Sequence, residues 1–206
     1  MRKISVRKYL ALTFIPVLIL AGCGGGGGYG GGTVTPPPPP PSQVIAAIGK
    51  PNVEPITVDQ GPQALLAAGK SAVNEVFVTV QVCIPGMTGA NNCVTVDHVQ
   101  VDSGSAGLRI LSTALKGLVL PPAKDGANIP LAECLPFADG SAWGSVATAD
   151  LTLPVSTEHA SGVRLQIVGD PLYEQGTDRP SSCTGVVEDT VPEFGANGIL
   201  GVGTFT

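Results

Sequence analysis

The sequence predicts an all-β protein, either a barrel or a sandwich. Short runs of alternating apolar residues recur from residue 74 onward and are separated by turns rich in Gly and Pro. Helical patterns are confined to single turns at 63–68 and 112–117. Aromatic residues make up only 4% of a chain that is 43% hydrophobic, so the core must be mainly Val, Leu, Ile and Ala.

The strands can be justified in order along the chain. The segment 74–84 alternates cleanly and places its four even-numbered valines on one face. A second strand at 93–101 follows a turn-rich loop, so the two form a hairpin. The further segments are strands at 108–111, 146–153 and 162–168, loops at 121–130 and 170–194, a turn at 139–140, and an apolar triplet fenced by glycines at 196–206.

The N-terminus reads as a targeting signal. Residues 1–8 are basic, and residues 9–20 are apolar but short for a membrane span. The following Leu-Ala-Gly-Cys at 20–23 resembles a bacterial lipobox, which implies removal of residues 1–22 and lipidation of Cys23. The alternative is an ordinary signal peptide with an incidental cysteine. The second position after Cys23 is Gly25 rather than Asp, which favours sorting to the outer membrane, with the body in the periplasm or at the cell surface.

A tether is predicted directly after Cys23. Residues 24–32 are nearly all glycine, and residues 36–41 are six prolines. A glycine run is flexible and a proline run is extended and stiff, so together they hold a folded body away from the membrane. The lipid bilayer, reached through Cys23, is therefore the expected partner.

The charge balance excludes nucleic acid as a partner. The chain has 11 basic and 16 acidic residues, and four of the basic ones precede Cys23, so the remainder carries 7 basic and 16 acidic groups and a net charge of −9. An acidic body repels phosphate backbones and anionic membrane surfaces.

The cysteines fit an oxidising compartment. Apart from Cys23 there are four, an even number that indicates two disulfides with three possible pairings. We favour Cys83–Cys93, because the turn-rich loop between them joins two strand-like runs, and this leaves Cys134–Cys183. A zinc site is the alternative use of these cysteines. It has little support, because the chain has no Cys-x-x-Cys and its two histidines fit no ligand spacing. No metal or other cofactor is predicted.

The segment 99–111 carries the one candidate for chemistry. An alternating strand delivers Asp102 to the tight turn Ser103-Gly104-Ser105, where hydroxyl groups can reach the carboxylate, and a second apolar run follows. Such a turn is by itself ordinary composition for a loop.

Three stretches together resemble the N-terminal lobe of pepsin-like aspartic proteases, over residues 74–206. The first is Val-Asp-Ser-Gly-Ser at 101–105, similar to that family's active-site turn. The second runs from Phe-Ala-Asp-Gly-Ser at 137–141 to Asp-Leu at 150–151 and looks like the flap hairpin. The third is Asn-Gly-Ile-Leu-Gly-Val-Gly at 197–203, similar to the segment that crosses beneath the catalytic Asp.

The resemblance implies roles for these residues. Asp102 would activate water, with a hydrogen bond from Ser105 to its outer oxygen, a buried hydroxyl contact from Ser103, and Gly104 allowing the tight turn. Phe137, Gly140 and Trp143 would belong to the flap, where the family commonly has Tyr in place of Phe137. Phe137 cannot donate a hydrogen bond, whereas the indole of Trp143 can.

The catalytic mechanism of that family needs two carboxylates that share one proton. The sequence has no second Asp-Thr/Ser-Gly, so the resemblance implies a single, truncated barrel lobe after the tether. A second carboxylate would come from a missing lobe or a second subunit. A peptide substrate and a second subunit are allowed by the sequence, but nothing in it supports either.

A closer resemblance is to bacterial lipoproteins of unknown function, which share the lipobox, Asp-Thr/Ser-Gly-Ser-x-Gly-Leu-Arg, Ala-Glu-Cys and Gly-Ile-Leu-Gly-Val-Gly. The expected organisation is a signal peptide at 1–22, the lipidated cysteine and linker at 23–41, an N-terminal extension at 42–73 and the lobe at 74–206.

Three interpretations remain open. The favoured one is a non-catalytic envelope lipoprotein with an aspartic-protease-like lobe. The alternative is an aspartic endopeptidase. A third is an unrelated β-rich lipoprotein, in which Asp102 would lie far from residues 197–203.

Overall fold

The computed structural model describes residues 52–137, 140–173 and 179–203. The predicted signal peptide, the lipidation site Cys23 and the Gly/Pro tether lie outside these residues. Ala138 and Asp139, in the turn of the expected flap hairpin, also lie outside them.

Strands dominate the described chain, which confirms the all-β prediction. Two short α-helices and one 3-10 turn accompany them: α1 at Gln63–Ala67, α2 at Val191–Phe194 and the 3-10 turn at Ser112–Leu115. The strands are β1 Phe77–Cys83, β2 Cys93–Asp102, β3 Ala106–Leu111, β4 Ala132–Pro136, β5 Gly140–Thr152, β6 His159–Val168, β7 Val186–Val187 and β8 Gly198–Val202.

Six of these strands close into a barrel, which decides between the barrel and the sandwich. The hydrogen-bonded order is β1-β2-β8-β3-β6-β5, and the last part of β5 pairs back onto β1 through Gln81, Val82 and Cys83. Closure gives each of the six strands a hydrogen-bonded neighbour on both sides over at least part of its length. The first part of β5 extends beyond the ring and pairs with β4 and β7.

The barrel interior is aliphatic, as the low aromatic content predicts. Val78, Val80 and Val82 from β1 face Leu108 and Ile110 from β3 within one cluster of buried residues. The even-numbered valines share one face because side chains alternate along a strand. Every buried member of this cluster is Val, Leu, Ile or Ala.

A second apolar cluster lies on the other face of the sheet, under the helices. Phe77, Leu111 and Ile199 each neighbour an interior residue along their strands and so point outward, where they pack with Leu65 of α1 and Phe194 of α2. The backbones of Thr57 and Phe77 exchange two hydrogen bonds of 2.8 Å. The segment 57–72, expected as an extension ahead of the lobe, is thus packed against the barrel.

Three elements are not expected from the sequence: β4, β7 and α2. The strand β4 was not predicted, because Ala-Glu-Cys-Leu-Pro has no clear alternation, and it is held by pairing with β5. The expected long loop at 170–194 contains β7 and α2. Helix α2 has only four residues and ends where Gly195 takes a φ of 81°, a left-handed conformation suited to glycine.

Two disulfides, Cys83–Cys93 and Cys134–Cys183, are present, and the favoured pairing is confirmed. Cys83 and Cys93 are direct partners in the β1/β2 register, so the first bond closes the hairpin. The second bond joins β4 to the segment before β7.

Candidate functional site

Asp102 ends β2, and the turn that follows leads directly into β3. The backbone N–H of Gly104 donates a hydrogen bond of 2.8 Å to Oδ1 of Asp102. This is the local Asx-type bond that Asp residues commonly form with the backbone two positions ahead. The turn therefore holds the carboxylate near the chain that forms it.

Strand β8 lies between β2 and β3, the two strands that flank this turn. Gly201 pairs with Asp102 in parallel register and with Gly107 in antiparallel register, and the N–H of Gly203 donates to the carbonyl oxygen of Ser105 at 2.8 Å. A Cβ atom on Gly201 would lie 2.6 Å from the backbone nitrogen of Ala106. The prediction that Asp102 lies far from residues 197–203, made by the third interpretation, is wrong.

The surroundings of Asp102 favour its ionised form. The Ser105 side chain and the Gly104 amide hold the pKa of Asp102 below its ordinary value of 3.8; burial opposes them, and the Arg109 charge adds a smaller lowering effect. The Ser105 hydroxyl is buried and lies near the carboxylate, without meeting the geometry of a hydrogen bond. Asp102 is an anion at neutral pH.

The other serine of the turn has a different environment from the one expected. Ser103 is exposed, so the buried hydroxyl contact predicted for it is not formed. The physical reason is its place at the tip of the turn, one residue beyond the strand, where its side chain faces solvent.

Arg109 stabilises the chain directly after the turn. It was not selected as a site residue from the sequence. Its side chain is only 6% exposed, its Nη1 donates to the carbonyl oxygen of Ala106 at 3.0 Å, and its Nη2 lies 3.6 Å from Oε1 of Glu133. A buried arginine needs such partners because an isolated buried charge is costly. The available signal was a cation inside the apolar run Leu108–Leu111.

Glu75 is a second carboxyl group that the sequence reasoning missed. The N–H of Val101 donates to the carbonyl oxygen of Val76 at 2.8 Å, which continues the β1/β2 pairing and brings Glu75 level with Asp102. Burial raises the pKa of Glu75 above its ordinary value of 4.5. The two pKa shifts have different causes: burial raises that of Glu75, whereas hydrogen bonding and the Arg109 charge lower that of Asp102.

The expected flap region forms a hairpin of β4 and β5. The N–H of Phe137 donates to the carbonyl oxygen of Gly140 at 2.8 Å. The Phe137 ring meets Phe194 edge to face, with centroids 6.0 Å apart. Trp143 is buried in β5 opposite Cys134. Phe137 thus packs on the outer apolar cluster and on helix α2.

The described residues offer no obvious metal centre. Within 52–137, 140–173 and 179–203, no group of three or more His, Cys, Asp or Glu side chains is arranged to hold a metal ion. In that same part of the chain, no helix has the length and hydropathy needed to cross a bilayer.

Comparison with protein families places the chain. The model of a family described as a protein of unknown function, DUF3443, matches residues 49–206. The chain belongs to this family. The DUF3443 match covers the whole barrel and also the segment that packs Leu65 against it, so it begins upstream of the expected lobe boundary at residue 74. A search of curated proteins found no match to this DUF3443 chain.

Proposed function

We propose that the protein is a lipid-anchored lipoprotein of the bacterial envelope, with an aspartic-protease-like barrel that does not hydrolyse peptides as a single chain. The likeness to the protease lobe is supported by the path of β8, whose Gly201 lies between Asp102 and Gly107. Lipid anchoring is supported by the lipobox-like segment that ends at Cys23. An oxidising compartment is supported by the two disulfides.

The observation that carries the non-catalytic assignment is that, in the described part of the chain, no acidic group is among those that shift the pKa of Asp102. Peptide hydrolysis by aspartic proteases requires one ionised and one protonated carboxyl group in contact, because one acts as base while the other acts as acid. The groups that set the pKa of Asp102 are Ser105, Gly104 and Arg109, none of which is an acid. Without a proton-sharing partner among residues 52–137, 140–173 and 179–203, one anionic carboxylate supplies only the base.

The alternative function is an aspartic endopeptidase in which Asp102 works with a carboxylate from a further lobe or a second subunit. The observation in favour of this candidate is that the turn holds an ionised, half-buried carboxylate beside Ser105. The non-catalytic assignment predicts no peptide hydrolysis that depends on Asp102, whereas the endopeptidase predicts that such hydrolysis occurs.

A peptide-cleavage assay separates them. The purified full chain and its Asp102→Asn variant would be incubated with a mixed peptide library from pH 3 to pH 7, with and without pepstatin. We expect no hydrolysis that depends on Asp102. Pepstatin-sensitive cleavage by the wild type that is lost in the variant would instead establish the endopeptidase.

The anchor is tested independently of the barrel. Metabolic labelling with a fatty acid should mark the wild-type chain and not Cys23→Ser, and only the wild type should sediment with outer membranes. Cys83→Ser combined with Cys93→Ser serves as the control, because it removes two cysteines without touching the lipidation site. Labelling that persists in Cys23→Ser would overturn the lipid anchor.

A further inference from the structure

We infer that a cavity at one end of the barrel, separate from the Asp102 turn, binds a small apolar molecule with a positively charged head. The cavity has a volume of about 510 Å³. It lies between the segment that follows the 3-10 turn and the residues that follow β6. Cavities of about 300–1,000 Å³ with apolar walls and a few polar groups are the usual form of small-molecule sites.

The inner wall of the cavity is the barrel core. Leu115, Leu120, Ala147 and Ile167 line it and belong to the interior apolar cluster. A ligand in the cavity would therefore bury its apolar part directly against the core, which yields about 25 cal/mol for each Å² of apolar surface removed from water.

The rim of the cavity keeps apolar surface in contact with water. Val119 is 79% exposed and Leu172 is 82% exposed, and both line the cavity. Large side chains with this exposure gain from a ligand that covers them. The core wall and the two rim residues together make the cavity suitable for an aliphatic or aromatic group.

One polar pair faces the cavity. Ser145 in β5 donates a hydrogen bond from Oγ to Oδ2 of Asp170, and both residues line the cavity. Oδ1 of Asp170 accepts the backbone N–H of Leu172 at 2.9 Å. Because a carboxylate has about four acceptor positions, each oxygen retains one for a ligand.

The negative charge of the cavity lining favours a ligand with a positively charged head group. Among the described residues that line the cavity, Asp170 is the only charged one. Two other polar side chains line the cavity. Ser112 is already engaged, because its Oγ donates to the carbonyl oxygen of Gly169 at 2.8 Å, and Tyr173 carries a hydroxyl group. An ammonium group matches this lining, since it complements the charge and donates to the free positions of Asp170.

Three probes with the same eight-carbon chain test this assignment: octylamine, 1-octanol and octanoate. Binding would be measured by calorimetry and ligand-observed NMR below micelle-forming concentrations. The full chain would carry Cys23→Ser so that no detergent is needed. We expect octylamine to bind about tenfold or more tightly than 1-octanol, and octanoate most weakly, because a charge-assisted hydrogen bond is stronger than a neutral one.

Asp170→Asn isolates the charge. The variant keeps an oxygen that can accept from Leu172, and it should lose the preference for octylamine while it still binds 1-octanol. Asp189→Asn is the matched control, because Asp189 lies against Gly169 but does not line the cavity. It should bind all three probes like the wild type.

The wild-type ranking tests the inference without any variant, so a folding defect in Asp170→Asn does not block the test. Three results would overturn it: equal binding of the three probes, tighter binding of octanoate, or no binding of octylamine. Unchanged octylamine binding by a folded Asp170→Asn variant would overturn it as well. The assay does not involve Asp102, so failure here and failure of the proposed function are separate results.

Discussion

Gly201 and Asp102 are neighbours across parallel strands, although 98 residues of chain lie between them. The same glycine pairs with Gly107 on its other side. The position of the Asp102 turn therefore depends on β8 as much as on the hairpin that carries it. This relationship makes the turn sensitive to changes near residue 201.

We expect Gly201→Ala to destabilise the protein by about 1–3 kcal/mol or more, the usual cost of overpacking. The added Cβ would lie 2.6 Å from the backbone of Ser105 and Ala106, which cannot move aside as a flexible side chain could. Denaturant unfolding measures the change. Gly126→Ala is the control, since a Cβ there meets no atom within 4 Å, and an equal loss in both variants would contradict the steric explanation.

The two disulfides should contribute unequally. The loop-entropy relation gives about 3 kcal/mol for the separation of 10 residues and about 4 kcal/mol for the separation of 49. Replacing Cys134 and Cys183 with alanine should thus lower the free energy of unfolding more than replacing Cys83 and Cys93. Urea unfolding of the two double variants gives the comparison, and the reverse order would show that loop closure is not the dominant effect.

Asp102→Asn should lower stability slightly at neutral pH and leave it unchanged in acid. A carboxyl group whose pKa is lowered by folding adds stability above its unfolded pKa, and this is lost as the pH falls through the folded value. We expect a loss under about 1 kcal/mol at pH 7, because the half-buried carboxylate is still screened by solvent. The difference from wild type should shrink below pH 3.8. A constant difference from pH 7 to pH 2 would count against this electrostatic origin.

Glu75→Gln should change stability in the opposite direction, because it should raise the free energy of unfolding at neutral and higher pH. Burial raises the pKa of Glu75, so the wild-type carboxyl group favours folding below pH 4.5 and opposes it as the pH rises through the folded pKa. The variant should be more stable than wild type at pH 8, and the gain should disappear near pH 4. Thermal unfolding across this range measures it, with the exposed Glu158→Gln as the control. A pH-independent gain would exclude desolvation as the cause.

The strands that could be predicted are those with clean alternation. The valines of β1 and the run 93–101 gave correct strands and a correct hairpin, because a strand with one buried face must alternate. β4 and α2 could not be predicted, because five residues including a proline and a four-residue helix carry too little local signal. Pairing with β5 and packing under the outer cluster stabilise them instead.

Some residues of the candidate site could likewise be selected from local sequence, and others could not. Asp102, Gly104 and Ser105 could be selected from the sequence because a strand, an Asx turn and its hydroxyls are contiguous. Arg109 and Glu75 were missed because their importance lies in non-local contacts. Arg109 reaches Glu133 on another strand, and Glu75 is brought level with Asp102 by the pairing of Val76 with Val101.

The sequence alone determined the all-β class, the aliphatic core and the disulfide-closed hairpin, because periodicity, composition and short loops act locally along the chain. The resemblance to the protease lobe implied a barrel in which residues 197–203 pass near Asp102, and the tertiary structure then showed that the sheet closes and that β8 takes this path. The tertiary structure alone decided that the lowered pKa of Asp102 owes nothing to an acidic group within the described residues, and that Asp170 faces a cavity. These features depend on contacts between residues distant in sequence, which become close only when the sheet closes and the core packs.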